Sequence, residues 1–349
     1  MSRKREVAAV GILLAASFAL GFAFTPRVSS QTAVPPSRSF TLTETIHIAP
    51  VSAPSADLRV WIPLPYEESS QGSSNAKIAG LSHWKMYIEP EYLNRYAYAT
   101  IPATSLDHTT EIKASFHVQR FEHQAAIANV VDVPEVPLAA LRRLTQSDRL
   151  APIDGEIADI AQQQTAYATL ALEKAQKVYD YMIAAMKSTG GSGELSAADT
   201  LSTLHAMKGD SADFASLFVA LARSSGVPSR FEAGFILATD AHSGTLVDEH
   251  AWAQIHVAGT GWVPVDPYDG ANDKNERHFY FGGVDANRVE IFAGRDIHLY
   301  PPQKGAPLNY FMKAYAELDG QPYEAITTEY SFKDDPQSGP STTTNASAK

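Results

Sequence analysis

Ser211, His250 and Asp266 are a hydroxyl, an imidazole and a carboxylate in the chain order nucleophile, base, acid. Ser211 follows Lys208-Gly209-Asp210 and opens a run in which Phe214, Leu217, Phe218 and Leu221 share one helical face. His250 begins the alternating run 250–257, and Asp266 closes 262–266 just before Pro267. A residue at a helix start faces unpaired backbone amides and the positive end of the helix dipole, which lowers a thiol pKa and stabilises an anion. An imidazole on a neighbouring strand can take the proton, and a carboxylate on the next strand can hold that imidazole in the required tautomer. Taken singly, each residue has a plainer role. Ser211 or Asp210 suits a helix N-cap, His250 a packed strand position, and Asp266 before Pro267 a turn. Only the ordered set suggests chemistry.

The elements that must position these groups follow from the spacing. The helix from 211 ends at Gly226-Val227-Pro228, where glycine and proline stop it. Residues 230–237 read as a strand, 238–249 as a loop, 250–257 as a second strand, Gly259-Thr260-Gly261 as a tight turn, and 262–267 as a third strand. This segment resembles the core of the transglutaminase-like superfamily, which has a papain-like cysteine-peptidase fold. The resemblance rests on Gly209-Asp210-Ser211, Gly226-Val227-Pro228-Ser229-Arg230, His250-Ala251-Trp252 and Gly261-Trp262-Val263-Pro264-Val265-Asp266-Pro267. The run Tyr280-Phe281-Gly282-Gly283, Arg288, Gly294-Arg295-Asp296-Ile297 and Pro307-Leu308-Asn309-Tyr310-Phe311 is similar to exported bacterial members. The resemblance implies an α+β fold, with a helix packed on an antiparallel sheet, preceded by an all-β, sandwich-like domain. It also implies that Ser211, His250 and Asp266 stand at the catalytic positions, with Asp210, Trp252 and Trp262 lining the cleft.

One position departs from the family pattern. The nucleophile there is cysteine, this chain has serine at 211, and it contains no cysteine at all. That also removes disulfides, thiolate zinc sites and iron–sulfur clusters. Three readings follow: a pseudoenzyme whose cleft binds a peptide or protein, an acyl-transfer enzyme or amidase/peptidase using a Ser211-His250-Asp266 triad, or an engineered Cys-to-Ser form of an active cysteine enzyme. A thiol with pKa near ~8.5 can be ionised in advance by a helix start and a histidine. A serine hydroxyl cannot, and must lose its proton during attack. A ~1 Å change in attack geometry can cost roughly a hundredfold. These arguments weigh toward the pseudoenzyme, although Ser-His-Asp sets work on several unrelated folds.

No cofactor or metal is expected. The spacing around His242 and His256 is not that of metal ligands, and Asp266, Asp269, Asp273 and Glu276 do not follow the EF-hand pattern and read as a solvated loop. No glycine-rich phosphate loop is present.

At the N-terminus, Arg3, Lys4 and Arg5 precede the uncharged residues 7–24 and the small residues Val28-Ser29-Ser30, the pattern of a secretory signal peptide over 1–30. The alternative is a membrane anchor over 7–24, which would be the chain's only link to a membrane. Either way the expected location is exported: periplasmic or otherwise extracytoplasmic. Loss of 1–30 removes Arg3, Lys4, Arg5, Arg27 and Glu6 and takes the net charge from −11 to −14. Such an acidic protein is not expected to bind nucleic acid. Residues 31–39 read as a linker, and 40–124 as the β domain, with Phe40, Leu42, Ile46 and Ile48 on one parity and similar alternation at 58–64 and 112–118. The transglutaminase-like domain is expected over 125–332, with helices near 138–144, 157–164, 172–186 (ended by Gly190-Gly191) and 197–205. Residues 333–349 read as a disordered tail.

Overall fold

Strand Ser37–Ile48 shows how the N-terminal region is built. Phe40, Leu42, Ile46 and Ile48 point into the core, while Thr41, Thr43, Thr45 and His47 stay partly exposed. One inward position is Glu44, and burial raises its carboxyl well above the usual range. The computed structural model describes residues 35–52, 56–127, 141–190 and 193–336. The expected signal segment 1–30, part of the linker, residues 138–140 and the tail from 337 lie outside these.

Two antiparallel five-stranded sheets form the β-rich region. The first runs Ser243–Leu246, Ile326–Asp334, Ser37–Ile48, Thr110–Phe121, Gln71–Ala79. The second runs Gln321–Pro322, Tyr315–Leu318, Leu58–Pro63, Arg95–Ile101, Lys85–Ile88. Neither sheet is confined to 40–124. The strands from 315 onward complete both, so the β region closes only with the C-terminal part of the chain. The physical reason is pairing: Ser37–Ile48 and Leu58–Pro63 each need a partner on both edges, and the N-terminal segment supplies one apiece. Residues from Pro35 onward form one compact unit, with no break at 124. Lys333 and Asp334 belong to the last strand, and Asp334 pairs with Arg38.

The remainder is a helical layer on a third antiparallel sheet. The helices are α1 (Glu156–Thr165), α2 (Ala171–Ala185), α3 (Thr200–Ala206), α4 (Ser211–Ser224) and α5 (Pro267–Asn272). The sheet order is Gly261–Val265, Glu249–Val257, Ser229–Ile236, Arg288–Ala293. Helix α4 is apolar nearly all round, and every residue except Asp213 and Ser224 is buried. It packs on the strands Glu249–Val257 and Ser229–Ile236 and is surrounded by the other four helices.

Three element ends differ from expectation. Helix α2 stops at Ala185, before the glycines. Met186 is already extended, and Lys187–Ser188 pairs in parallel with Lys208–Gly209. Helix α3 begins at Thr200 because Asp199 caps it, accepting the Ser202 amide, while Ala198 has a positive φ of 49°. Near 138–144 the described residues form only a 3-10 turn, Arg143–Thr145.

Candidate active site

Asp210, not Ser211, caps α4. Its carboxylate accepts the Asp213 amide at 3.0 Å, and the Asp213 carboxylate accepts the Asp210 amide at 3.0 Å, a reciprocal capping box. Asp210 also accepts Ser196 N–H at 2.8 Å and Ser196 O–H at 3.1 Å. The capping box explains Gly209: a Cβ there would lie 2.3 Å from the Asp213 side chain. With the cap filled by Asp210, the Ser211 hydroxyl is left for other partners. Its oxygen accepts the backbone N–H of Ala251 at 3.1 Å, which ties the buried hydroxyl to the backbone of the strand that carries His250.

His250 Nε2 and Asp266 Oδ2 are 2.7 Å apart, and both residues are buried. Because Nε2 faces the carboxylate, Nδ1 is the ring nitrogen not engaged by Asp266. Strand Gly261–Val265 ends one residue before Asp266, which then caps α5 by accepting the Asp269 amide at 2.9 Å, with Pro267 at the first helical position. The expected strand end at 266–267 is therefore a strand-to-helix junction. Burial by itself would raise the Asp266 carboxyl; the charges of His250 and Arg288 and the hydrogen bonds it accepts outweigh burial and hold it far below the ordinary range.

The His250 ring lies between two aromatics. Trp252 stacks on it at 6.1 Å and 22°, as two residues on one face of a strand can, and Tyr268 of α5 meets it edge-on at 5.8 Å and 71°. Trp252 is buried, and its Nε1 donates to Glu232 at 2.6 Å, so it supports the histidine from within. Trp262 is partly exposed and lies elsewhere: the Arg230 guanidinium sits 4.1 Å over its ring and His256 meets it edge-on. Asp210, Trp252 and Trp262 thus have different immediate partners.

Two charged groups have no counterpart in the spacing argument. Arg288, on strand Arg288–Ala293, donates to Asp266, Asp269 and Asp285. Glu68, Glu232 and Glu290 converge within 4.8 Å of one another, with Arg120 bonded to Glu68 and Arg230 to Glu232. Burial pushes Glu232 up to about 7 against the pull of Arg230, and Glu290 well above the usual range. His250, Asp266 and Asp269 also lie close enough to ligate a cation. Guanidinium groups already bond Asp266, Asp269, Glu68 and Glu232, while both buried carboxylate oxygens of Glu290 lack a hydrogen-bond partner. A cavity of about 370 Å³ borders Glu249, the residue before His250, together with Phe235, Leu246, Lys313 and Tyr330. A second, of about 540 Å³, borders Asp269 and Arg288 on the acid side.

Residues 158–267 match the family model of the transglutaminase-like superfamily. The chain carries a transglutaminase-like core. The match starts in α1 and stops just after the acid of the site, so Arg288 lies outside it. A crystal structure of a candidate cysteine protease from Cytophaga hutchinsonii is similar over 86% of this chain and 98% of that one, with a TM-score of 0.52 at 14% identity. That likeness bears on the fold, which is the papain-like α+β arrangement with an N-terminal β-rich region. The periplasmic domain of TgpA from Pseudomonas aeruginosa aligns over 69% of this chain and 72% of its own, with a TM-score of 0.37 at 14% identity. An uncharacterized Haemophilus influenzae protein is 24% identical over 329 residues, covering 82% of this chain and 88% of its own.

Proposed function

We propose that this transglutaminase-like protein is exported and holds a peptide or protein at Ser211, His250 and Asp266 without turning it over. The observation that carries the reading is a buried His250–Asp266 pair, with the Ser211 hydroxyl at the start of α4 bonded to the backbone N–H of Ala251, the residue after His250. The arrangement has what a thiolate would need: a capped helix start, an imidazole with Nδ1 available, and an ionised acid behind it. It lacks the ionisable sulfur. A hydroxyl cannot form the ion pair in advance, so the acyl group of a bound peptide meets a weak nucleophile.

The same pair supports a second reading, a serine acyl-transfer enzyme. A binding module has no need of a buried charged pair, which is costly to desolvate. One experiment separates the two. The purified protein is incubated with an array of glutamine- and lysine-containing peptides, and retained peptides are analysed by mass spectrometry. Peptides recovered intact support the binding reading. Cleaved or amine-exchanged peptides, lost on His250→Ala, establish the serine enzyme. No retention of any peptide contradicts both.

Export rests on the basic start, the uncharged segment 7–24 and the small residues 28–30. Among the described residues no helix is long and apolar enough to cross a membrane. N-terminal sequencing of the native protein should give a start near residue 31; an intact Met1 in a membrane fraction would favour the anchor.

A further inference from the structure

We propose that Arg288 is a positioning residue of this site: its guanidinium holds the Asp266 carboxylate turned toward His250, and so decides which ring nitrogen of His250 carries the proton. The inference rests on reading Ser211, His250 and Asp266 as the site, and adds a residue outside the segment that matches the family.

Arg288 is buried, and each of its three guanidinium nitrogens serves a different aspartate. Nη1 donates to Asp266 Oδ2, Nη2 to Asp269 Oδ2, and Nε to Asp285 Oδ2 at 3.1 Å. Trp252 and Tyr280 cover the group, with ring centroids at 5.6 and 5.7 Å. The planar fork therefore has little freedom to leave. The oxygen it holds, Asp266 Oδ2, is the same one that faces His250 Nε2. The other oxygen of Asp266 is occupied by the Asp269 amide. Orientation of the carboxylate is thus fixed from three sides, and Arg288 supplies the only positive charge among them apart from His250 when protonated.

The charge matters because of what surrounds Asp266. The groups facing it are His250 on its strand, Asp269 on α5, Arg288 and Asp285 on the far side, Tyr179 from α2 and Tyr280 from the following loop. Without the guanidinium, Asp266 Oδ2 loses the donor that orients it, the buried Asp266 faces the half-buried Asp269 with one positive partner fewer, and a proton taken up by the pair can settle on either carboxylate. A protonated Asp266 donates to Nε2 rather than accepting from it. The ring proton then sits on Nδ1, the nitrogen away from Asp266, and that nitrogen can no longer accept a proton from a nucleophile.

The test reads the tautomer directly. Protein labelled with ¹⁵N in histidine is followed by long-range ¹H–¹⁵N spectra across pH 5–9 (roughly the range over which histidine titrates). In the parent chain neutral His250 should carry its proton on Nε2. In Arg288→Gln a substantial fraction should move to Nδ1, and Arg288→Lys, which keeps the charge but loses the fork, should restore most of the Nε2 form. In the Ser211→Cys background, Arg288→Gln should slow thiol labelling by about 10- to 100-fold, the usual cost of losing an outer partner. An unchanged Nε2 tautomer in folded Arg288→Gln would reduce Arg288 to a structural ion pair and overturn the proposal. If the variants do not fold, the parent chain still decides: the Asp266 carboxyl carbon should show no titration near ~3.9, the ordinary aspartate value, and a normal titration there overturns the proposal. The tautomer needs no activity, so a flip in a chain whose Ser211→Cys form never labels would sink the functional reading while keeping this one. Fast labelling with no flip would do the reverse.

Discussion

On the proposed reading, one atom at position 211 separates the chain from a thiol site. The hydroxyl is buried and bonded to the Ala251 backbone, and the acid that pairs with His250 is held ionised by its surroundings. The folded pKa of Asp266 lies below the unfolded value, so Asp266 contributes stability that is present above ~3.9 and is lost as pH falls toward the folded pKa. Asp266→Asn should therefore destabilise the protein at pH 7 by about 3 kcal/mol, because Arg288 loses one of its buried partners. The same variant should flatten the loss of stability below pH 4; urea unfolding across pH 2–7 measures both, and an unaltered acid limb would contradict the assignment. At this scale the sequence singles out His250 and Asp266, which the structure pairs, and Ser211, which it bonds to Ala251, because each sits in a motif of fixed spacing. Arg288 and Tyr268 are not singled out. They reach the site through sheet pairing and through α5, and no sequence offset encodes either contact.

Among the elements, α4 and its cap carry the most consequence. Asp210 accepts from the Asp213 amide and from Ser196, tying the preceding loop to the helix start. Asp210→Ala should cost about 1–2 kcal/mol, the range for a lost N-cap, read as a lower Tm; a silent substitution would mean that Ser211 can take over the cap and that its hydroxyl is not reserved. Helices α1, α2 and α4 and the strands around His250 were legible from apolar periodicity. The ends were less so. Gly190 follows α2 but does not cap it, because the short pairing of Lys187–Ser188 with Lys208–Gly209 draws the chain into an extended form earlier. Asp266 before Pro267 is equally compatible with a turn and with a helix start, and only the packing of α5 on α4 selects the second.

Across the whole molecule, the β-rich region and the core depend on each other. Tyr66 N–H donates to the Glu290 carbonyl at 3.0 Å, Gln71 bonds the Glu290 backbone through both ends of its amide, and Glu68 joins the Glu232 and Glu290 cluster beside Arg230. The strands from 315 to 334 close both outer sheets. Their partners are distant in sequence, which is why alternation at 40–124 alone pointed to a self-contained domain. A chain ending at residue 314 should lose cooperative unfolding, whereas one ending at 336 should match the full chain; a cooperative transition in the shorter chain would contradict this closure. On the proposed reading the molecule assembles a thiolate-activating site and leaves it disarmed by serine. The most direct measurement is the pH–rate profile for alkylation of Ser211→Cys by iodoacetamide, with and without His250→Ala. Fast labelling well below ~8.5, the ordinary thiol pKa, is expected, with that advantage lost on His250→Ala; a profile centred on the ordinary thiol value and indifferent to His250 would overturn the reading.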